Sequence, residues 1–144
     1  MSENVQVPDL LESAFRGPAW HGPALLETLA GIDAELAGRR WANAHSIHEL
    51  VLHVISWKGA IVRRLLGEPF EPEDFPAPQD WTETLQNLDH AHRSLITTAR
   101  QLDAARLRQF VPGRDHTVAF MLIGAALHDI YHAGQIGLLK KLTA

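Results

Sequence analysis

Thirteen residues, Gly67 to Gln79, separate two helical stretches and carry four prolines among four acidic side chains. Proline cannot continue a helix and has no place in a central strand, so this segment is a connection. Fully extended it reaches about 43 Å, while the helical stretch before it is about 31 Å long. The helices on either side can therefore run parallel, which a short turn would forbid. No other feature restricts the topology as much. Long connections in compact domains are also often functional, and the sequence leaves that second reason for the loop open.

Around this connection lie four stretches with helical punctuation and no run of alternating strand pattern. The first opens at Gly22-Pro23, with proline in a first-turn position, and is expected to continue to about Ala37 before Gly38. The second opens with Ser46-Ile47-His48-Glu49, a capping box, and carries Ile47, Leu50, Val51, Val54, Ile61, Val62 and Leu65 on one stripe up to Gly67. Asp80-Trp81-Thr82-Glu83 opens a third stretch to about Leu102. Thr117 caps the fourth, which runs to about Leu142 and is apolar on most sides, so it is expected deepest in the fold. Between the last two, Asp103 to His116 is long enough for an extra turn. These elements predict an all-α four-helix bundle, a single domain over residues 1–144 with its core at about 20–142.

A chain of 144 residues can bury a core of ordinary size without cross-links. It has no cysteine, so neither disulfides nor a thiolate nucleophile or ligand of its own are available. The net charge of −4 offers no footprint for nucleic acid or an anionic membrane surface, and neither partner is expected. Met1 to Asp9 lack the basic and apolar segments of a signal peptide, and the longest apolar run, Val118 to Leu127, is too short to span a bilayer. A soluble, cytoplasmic protein is the expectation.

Nine histidines stand out in so short a chain. His128 and His132, spaced i, i+4 in the most apolar helix, lie on one face about a turn apart, close enough to share a cation. Gly124 and Ala125 leave room beside them, and Gln135 adds a polar group on the same face. Alternatively both rings bond backbone carbonyls or Tyr131. His53 lies about 120° from the centre of its helix's apolar stripe, on the flank shared with Trp57. From there it either reaches a cleft or rests half-exposed. His48-Glu49 with His53 is no HExxH motif, because its histidines are five apart. His45 and His48 read as helix-start residues, His90 and His92 as solvated, and His21 and His116 as bystanders. Trp20, Trp41 and Trp81, near helix ends, are interface or core-capping candidates.

His128-Asp129-Ile130-Tyr131-His132-Ala133-Gly134-Gln135 has the form HxxxHxGQ, and His53 to Trp57 supplies an upstream HxxxW. Together these resemble the DinB/YfiT-like superfamily, over most of the chain from about Trp20 to Leu142. The resemblance implies a four-helix bundle in up-down-down-up order, with its long crossover between the second and third helices. It implies one divalent metal ion per chain, nickel or zinc, held by His53, His128 and His132, and a homodimer. It also implies either thiol S-transfer with a bacillithiol, mycothiol or glutathione type of cosubstrate, metal-dependent hydrolysis, or a non-catalytic binding or stress role. A small-molecule substrate is expected, and in the thiol reading the thiol must be supplied from outside. For hydrolysis the obvious carboxylate is Asp129, about 100° off the histidine face.

Overall fold

A computed structural model describes residues 5–144, and Met1–Asn4, part of the segment read for a leader, lie outside the described residues. Seven helices and no strand are found among the described residues: α1 Val7–Phe15, α2 Leu25–Leu29, α3 Ala34–Gly38, α4 Ile47–Leu65, α5 Trp81–Arg100, α6 Ala104–Arg108 and α7 Val118–Thr143. The caps explain most boundaries. Ser46 Oγ accepts from the Glu49 amide while Glu49 Oε2 accepts from the Ser46 amide, satisfying two donors at the start of α4. Asp80 accepts from the Glu83 amide to open α5, and Thr117 from the Phe120 amide to open α7. Gly67, at φ +91°, adopts the left-handed conformation just beyond the end of α4.

Cross-helix contacts give the chain directions. His48 meets Thr84 and Lys58 meets His92, so α4 and α5 advance together and are parallel. Glu12 meets His92 and Arg16 meets Asp89, so α1 opposes α5. His53 meets His128 and His132, and the later part of α4 shares a cavity wall with Met121 and Phe120 near the start of α7, so those two are antiparallel. The order is up-down-down-up for α1, α4, α5 and α7, and residues 67–79 form the crossover that lets α4 and α5 run parallel.

Several expectations are corrected. The first bundle helix is α1, not the stretch after Gly22, and its Leu11 and Phe15 are fully buried core residues that precede residue 20. The Gly22–Ala37 stretch is two short helices. Gly31, at φ +78°, breaks it, and Asp33 restarts it by accepting from the Leu36 amide. The last helix is also less enclosed than its composition suggests. It leaves Phe120, Leu127, Tyr131 and Leu138 exposed on its outer face.

The core divides into two apolar clusters. One holds Phe15, Val51, Val54, Leu88 and Ile136; the other holds Leu11, Ile61, Leu95, Leu122 and Ala126. Between them on α4, α5 and α7 lie Lys58, His92 and Asp129, all buried. Each occupies a position where its helix's stripe calls for an apolar side chain. His92, expected to be solvated, is instead wholly buried and stacked on Phe15 at 3.7 Å.

Candidate metal centre

Antiparallel packing of α4 on α7 brings the His53 ring to the histidine pair one turn apart on α7. His53 Nε2 and His132 Nε2 each lie 3.1 Å from His128 Nε2. One ligand atom from each of the three rings falls within 4.8 Å of the others. Imidazole nitrogens at about 2.05 Å from a shared cation would be about 2.9 Å apart at a 90° angle and about 3.3 Å apart at a tetrahedral one. The two spacings to His128 Nε2 lie between these.

Hydrogen bonds on the far side of the rings set the tautomers. His53 Nδ1–H donates to the Asp74 carbonyl at 2.8 Å, and His132 Nδ1–H donates to Gln135 Oε1 at 2.6 Å. With both Nδ1 atoms protonated, the Nε2 atoms of His53 and His132 present lone pairs toward His128 Nε2. That nitrogen can donate only one hydrogen, so at least one 3.1 Å approach sets lone pair against lone pair. Protonation of His128 and His132 is disfavoured. Burial first, then the His132 and His53 rings, pushes the pKa of His128 down to about 3. Burial also lowers that of His132, against the opposing effect of the Gln135 bond. The donor set fits a divalent cation, which would accept all three lone pairs at once.

The proline-rich crossover closes over this site. Its segment lies along α4, where Ser56 Oγ donates to the Glu73 carbonyl at 2.5 Å and Trp57 Nε1 donates to Asp74 Oδ1 at 2.9 Å. Phe75 stacks on His53 at 4.8 Å between ring centroids. The side chain of His53 is left only 12% exposed, so of the two readings of that position the cleft applies. The loop thus serves both as crossover and as the support that orients His53.

Beside His128 opens a cavity of about 220 Å³, whose wall includes Trp57, Lys58, Phe120, Gly124, Ala125 and Asp129. The space expected from Gly124 and Ala125 is part of it. His116, read as a bystander, also lines it. Asp129 turns from the histidines into the core, where its Oδ2 accepts from Lys58 Nζ at 2.6 Å. Lys58 Nζ approaches His92 Nδ1 at 3.3 Å, and His92 Nε2–H donates to Glu12 Oε1 at 2.6 Å. Burial lowers the pKa of Lys58 and raises that of Asp129, each opposed by the attraction of the other. His92 is held neutral, its pKa pushed down to about 3 by burial and then by the Lys58 and Arg16 charges. Of the remaining histidines, His48 is buried against Thr84, His45 stacks on Phe75, and His21 and His90 are exposed. None joins the cluster.

The sequence reading missed the Lys58–Asp129–His92 layer, although its signal was present. Each residue interrupts an i, i+3, i+4 apolar stripe. Asp74 and Phe75 carried no such signal, because only the path of the crossover brings them to His53.

The architecture and the site together define a helical bundle with a three-imidazole cluster able to hold a metal ion. The chain belongs to the DinB superfamily, whose family model matches residues 19–136. That span contains all three histidines and begins after α1. Comparisons with curated proteins and with solved structures gave no match.

Proposed function

We propose that this protein binds one divalent metal ion, nickel or zinc, through Nε2 of His53, His128 and His132. We further propose that it uses the site to add a low-molecular-weight thiol, intact and through its sulfur, to an electrophilic small molecule. The thiol gives up its S–H proton and a new S–C bond forms as a halide leaves, an epoxide opens or an activated alkene takes up the proton. The observation that carries the reading is the convergence of three Nε2 atoms, two with tautomers fixed from behind, beside a cavity. Three neutral ligands leave a bound cation its full charge and open positions, and the chemistry it supplies is Lewis acidity that lowers the pKa of a thiol or water. The protein's own residues do the rest. Gln135 and the Asp74 carbonyl hold two rings in ligating orientation, Trp57 and Phe75 limit water at the site, and the cavity receives the electrophile. With no cysteine in the chain, the thiol must come from a bacillithiol, mycothiol or glutathione type of cosubstrate. Hydrolysis is the weaker reading, because the nearby carboxylate of Asp129 is already engaged by Lys58.

Elemental analysis of gently purified protein tests the site. About one nickel or zinc ion per chain is expected, and each of His53→Ala, His128→Ala and His132→Ala should lose it. Metal-free protein after reconstitution would remove the mechanism. Thiol consumption with a panel of epoxides, alkyl halides and activated alkenes tests the activity, and no turnover by metal-loaded protein with any pair would refute S-transfer.

The homodimer is proposed on the outer face of α7, where Phe120, Ile123, Leu127, Tyr131, Leu138 and Leu142 are exposed at helical spacing. Trp20 and Trp41 are exposed as well, whereas Trp81 is buried and donates to the Ile32 carbonyl, so it caps the core. Leu127→Asp should convert a dimer to monomer in sedimentation analysis, and an unchanged sedimentation coefficient would place the interface elsewhere. Partners other than small molecules and a second copy are not proposed. No helix among the described residues is long and apolar enough to cross a membrane.

A further inference from the structure

Three charged side chains belong to the wall of the cavity beside His128: Lys58, Asp129 and Arg64. Lys58 and Asp129 are sealed in the core and pair with each other at 2.6 Å, so neither offers a charge to a guest. Arg64 is placed differently. Its side chain is 8% exposed, and its Nε donates to the Phe70 carbonyl at 2.9 Å. Nη2 approaches Glu71 Oε2 only at 3.4 Å, and that carboxylate is largely exposed and also pairs with Arg114. Nη1 has no hydrogen-bond partner among the described residues and, unlike Asp129 Oδ1, keeps some accessible surface. A charge buried to this extent ordinarily has a carboxylate held tightly against it. Burial first and then the Arg114 charge lower the pKa of Arg64, yet a guanidinium stays charged at neutral pH.

Most of the remaining wall is apolar, from Ile61, Phe120, Met121 and Ala125, and a side chain added at Gly124 would meet nothing within 4 Å. Arg64 Cζ lies 5.5 Å from the centroid of the Trp57 ring, and that ring lies 6.4 Å from the ring of His128. The guanidinium is therefore within about 12 Å of a ring of the metal centre, on the wall of the same cavity. At about 220 Å³ the cavity exceeds the roughly 150 Å³ that suffices to admit benzene, so it suits a single ring or a short branched chain rather than a tripeptide-sized thiol. An apolar chamber with an under-paired cation in its wall selects for a particular kind of guest. It favours an apolar body that carries an anion over the same body without one.

We propose that Arg64 is a specificity-determining residue that anchors a carboxylate, so that the electrophile taken by this cavity is a small carboxylic acid. Its anion lies at Arg64, its apolar body against Phe120 and Met121, and its reactive carbon toward His128. The Nε bond to Phe70 holds the guanidinium in place and leaves Nη1 for the substrate. The assignment rests on the reading of the cavity as the substrate side of the metal centre, and it sharpens that reading.

Phenylacetate and phenylacetamide share a shape and differ in charge. Binding is followed by amide NMR shifts of Gly124 and Ala125 at neutral pH, in protein as purified and after chelation, with metal content measured on the same samples. Phenylacetate should bind about tenfold or more tightly than phenylacetamide in both samples. Arg64→Gln removes the charge but sets an amide nitrogen where Nε stood, able to donate to the Phe70 carbonyl. In that variant phenylacetamide should bind as before and the preference should vanish. Gly124→Leu, which projects a side chain into the cavity and leaves Arg64 intact, should abolish binding of both probes. S-methylglutathione, which carries carboxylates but no free thiol, should not displace phenylacetate, and displacement would give the Arg64 site to the cosubstrate instead. Equal affinities, no binding of either probe, a preference confined to metal-loaded protein, one that survives Arg64→Gln, or binding unaffected by Gly124→Leu would each overturn the proposal. A preference in protein that holds no metal even after reconstitution refutes the metal reading alone. Metal-loaded protein without the preference refutes only the role of Arg64.

Discussion

Two polar clusters join α4 to α7, and adjacent residues, His128 and Asp129, open one each. Around Asp129 the groups complement one another. An ammonium meets a carboxylate and a neutral imidazole, and the imidazole meets Glu12. That chain is closed by the protein itself, apart from one oxygen. Around His128 the groups are alike, three imidazoles with two Nε2 atoms each 3.1 Å from that of His128, and at least one of those approaches sets lone pair against lone pair. A complementary set stabilises a fold as it stands, whereas the repulsion within a set of like acceptors is one that a cation among them would relieve. Burial is shared by both clusters, so the difference between them lies in charge and donor balance.

Breaking the complementary cluster should have the largest effect. Lys58→Met leaves the buried Asp129 carboxylate unpaired and should cost about 3–5 kcal/mol in urea unfolding. The double variant Lys58→Met/Asp129→Leu should recover most of that, and a double variant as unstable as the single one would show the pair to be ordinary packing.

Acid should strain both clusters at once. His92 and His128 stay neutral in the folded protein down to about pH 3, but when unfolded each takes a proton near the ordinary histidine value of 6.5. Below about pH 6.5 the unfolded state therefore binds more protons, and stability falls as pH falls toward 3. Each histidine contributes up to about 1.4 kcal/mol per pH unit in that window. Chelated protein should lose about 2–4 kcal/mol between pH 7.5 and 5.0. A flat profile would mean that the two rings are not held neutral by burial.

A substitution behind one ring distinguishes the clusters more finely. Gln135→Leu removes the acceptor for His132 Nδ1–H and should weaken metal binding about 10–100-fold by competitive chelator titration. Its effect on the unfolding of chelated protein should be small. Unaltered affinity would show that Gln135 does not set the His132 tautomer. The smallest effect is expected at Phe75, whose ring covers His53. Phe75→Ala should cost about 0.5–1.5 kcal/mol of metal-binding free energy, about 2–13-fold in affinity, and leave the Lys58 cluster untouched.

Legibility in the sequence tracked how local each cause was. The caps at Ser46, Asp80 and Thr117 act within three residues, and each stands where the pattern placed it. The i, i+4 relation of His128 and His132 is likewise a property of one helix. α1 escaped notice because Gln6 supplies no side-chain cap. Its remaining signal, Pro8 followed by Leu11, Ala14 and Phe15 on one face, is short. The break at Gly31 shows the converse, since a continuous pattern of apolar residues did not forbid a left-handed turn. His92 was misread because its neighbours Asp89, His90 and Arg93 are polar, while its own position falls on the buried stripe with Leu88 and Leu95.

The amino-acid sequence by itself determined the helical character of the chain, the limits of the three long helices, a connection long enough to allow a parallel crossover, and the i, i+4 pair on the last helix. Those follow from backbone propensities, caps and chain reach, which act over a few residues or along one segment. Tertiary structure alone decided that His53 faces inward, that the Asp74 carbonyl and Gln135 orient the rings, and that Asp129 turns into the core to meet Lys58. These depend on the registry of α4 against α7 and on the path of the crossover across them. Such distances arise between residues as much as 79 positions apart, as from His53 to His132, where no local rule reaches.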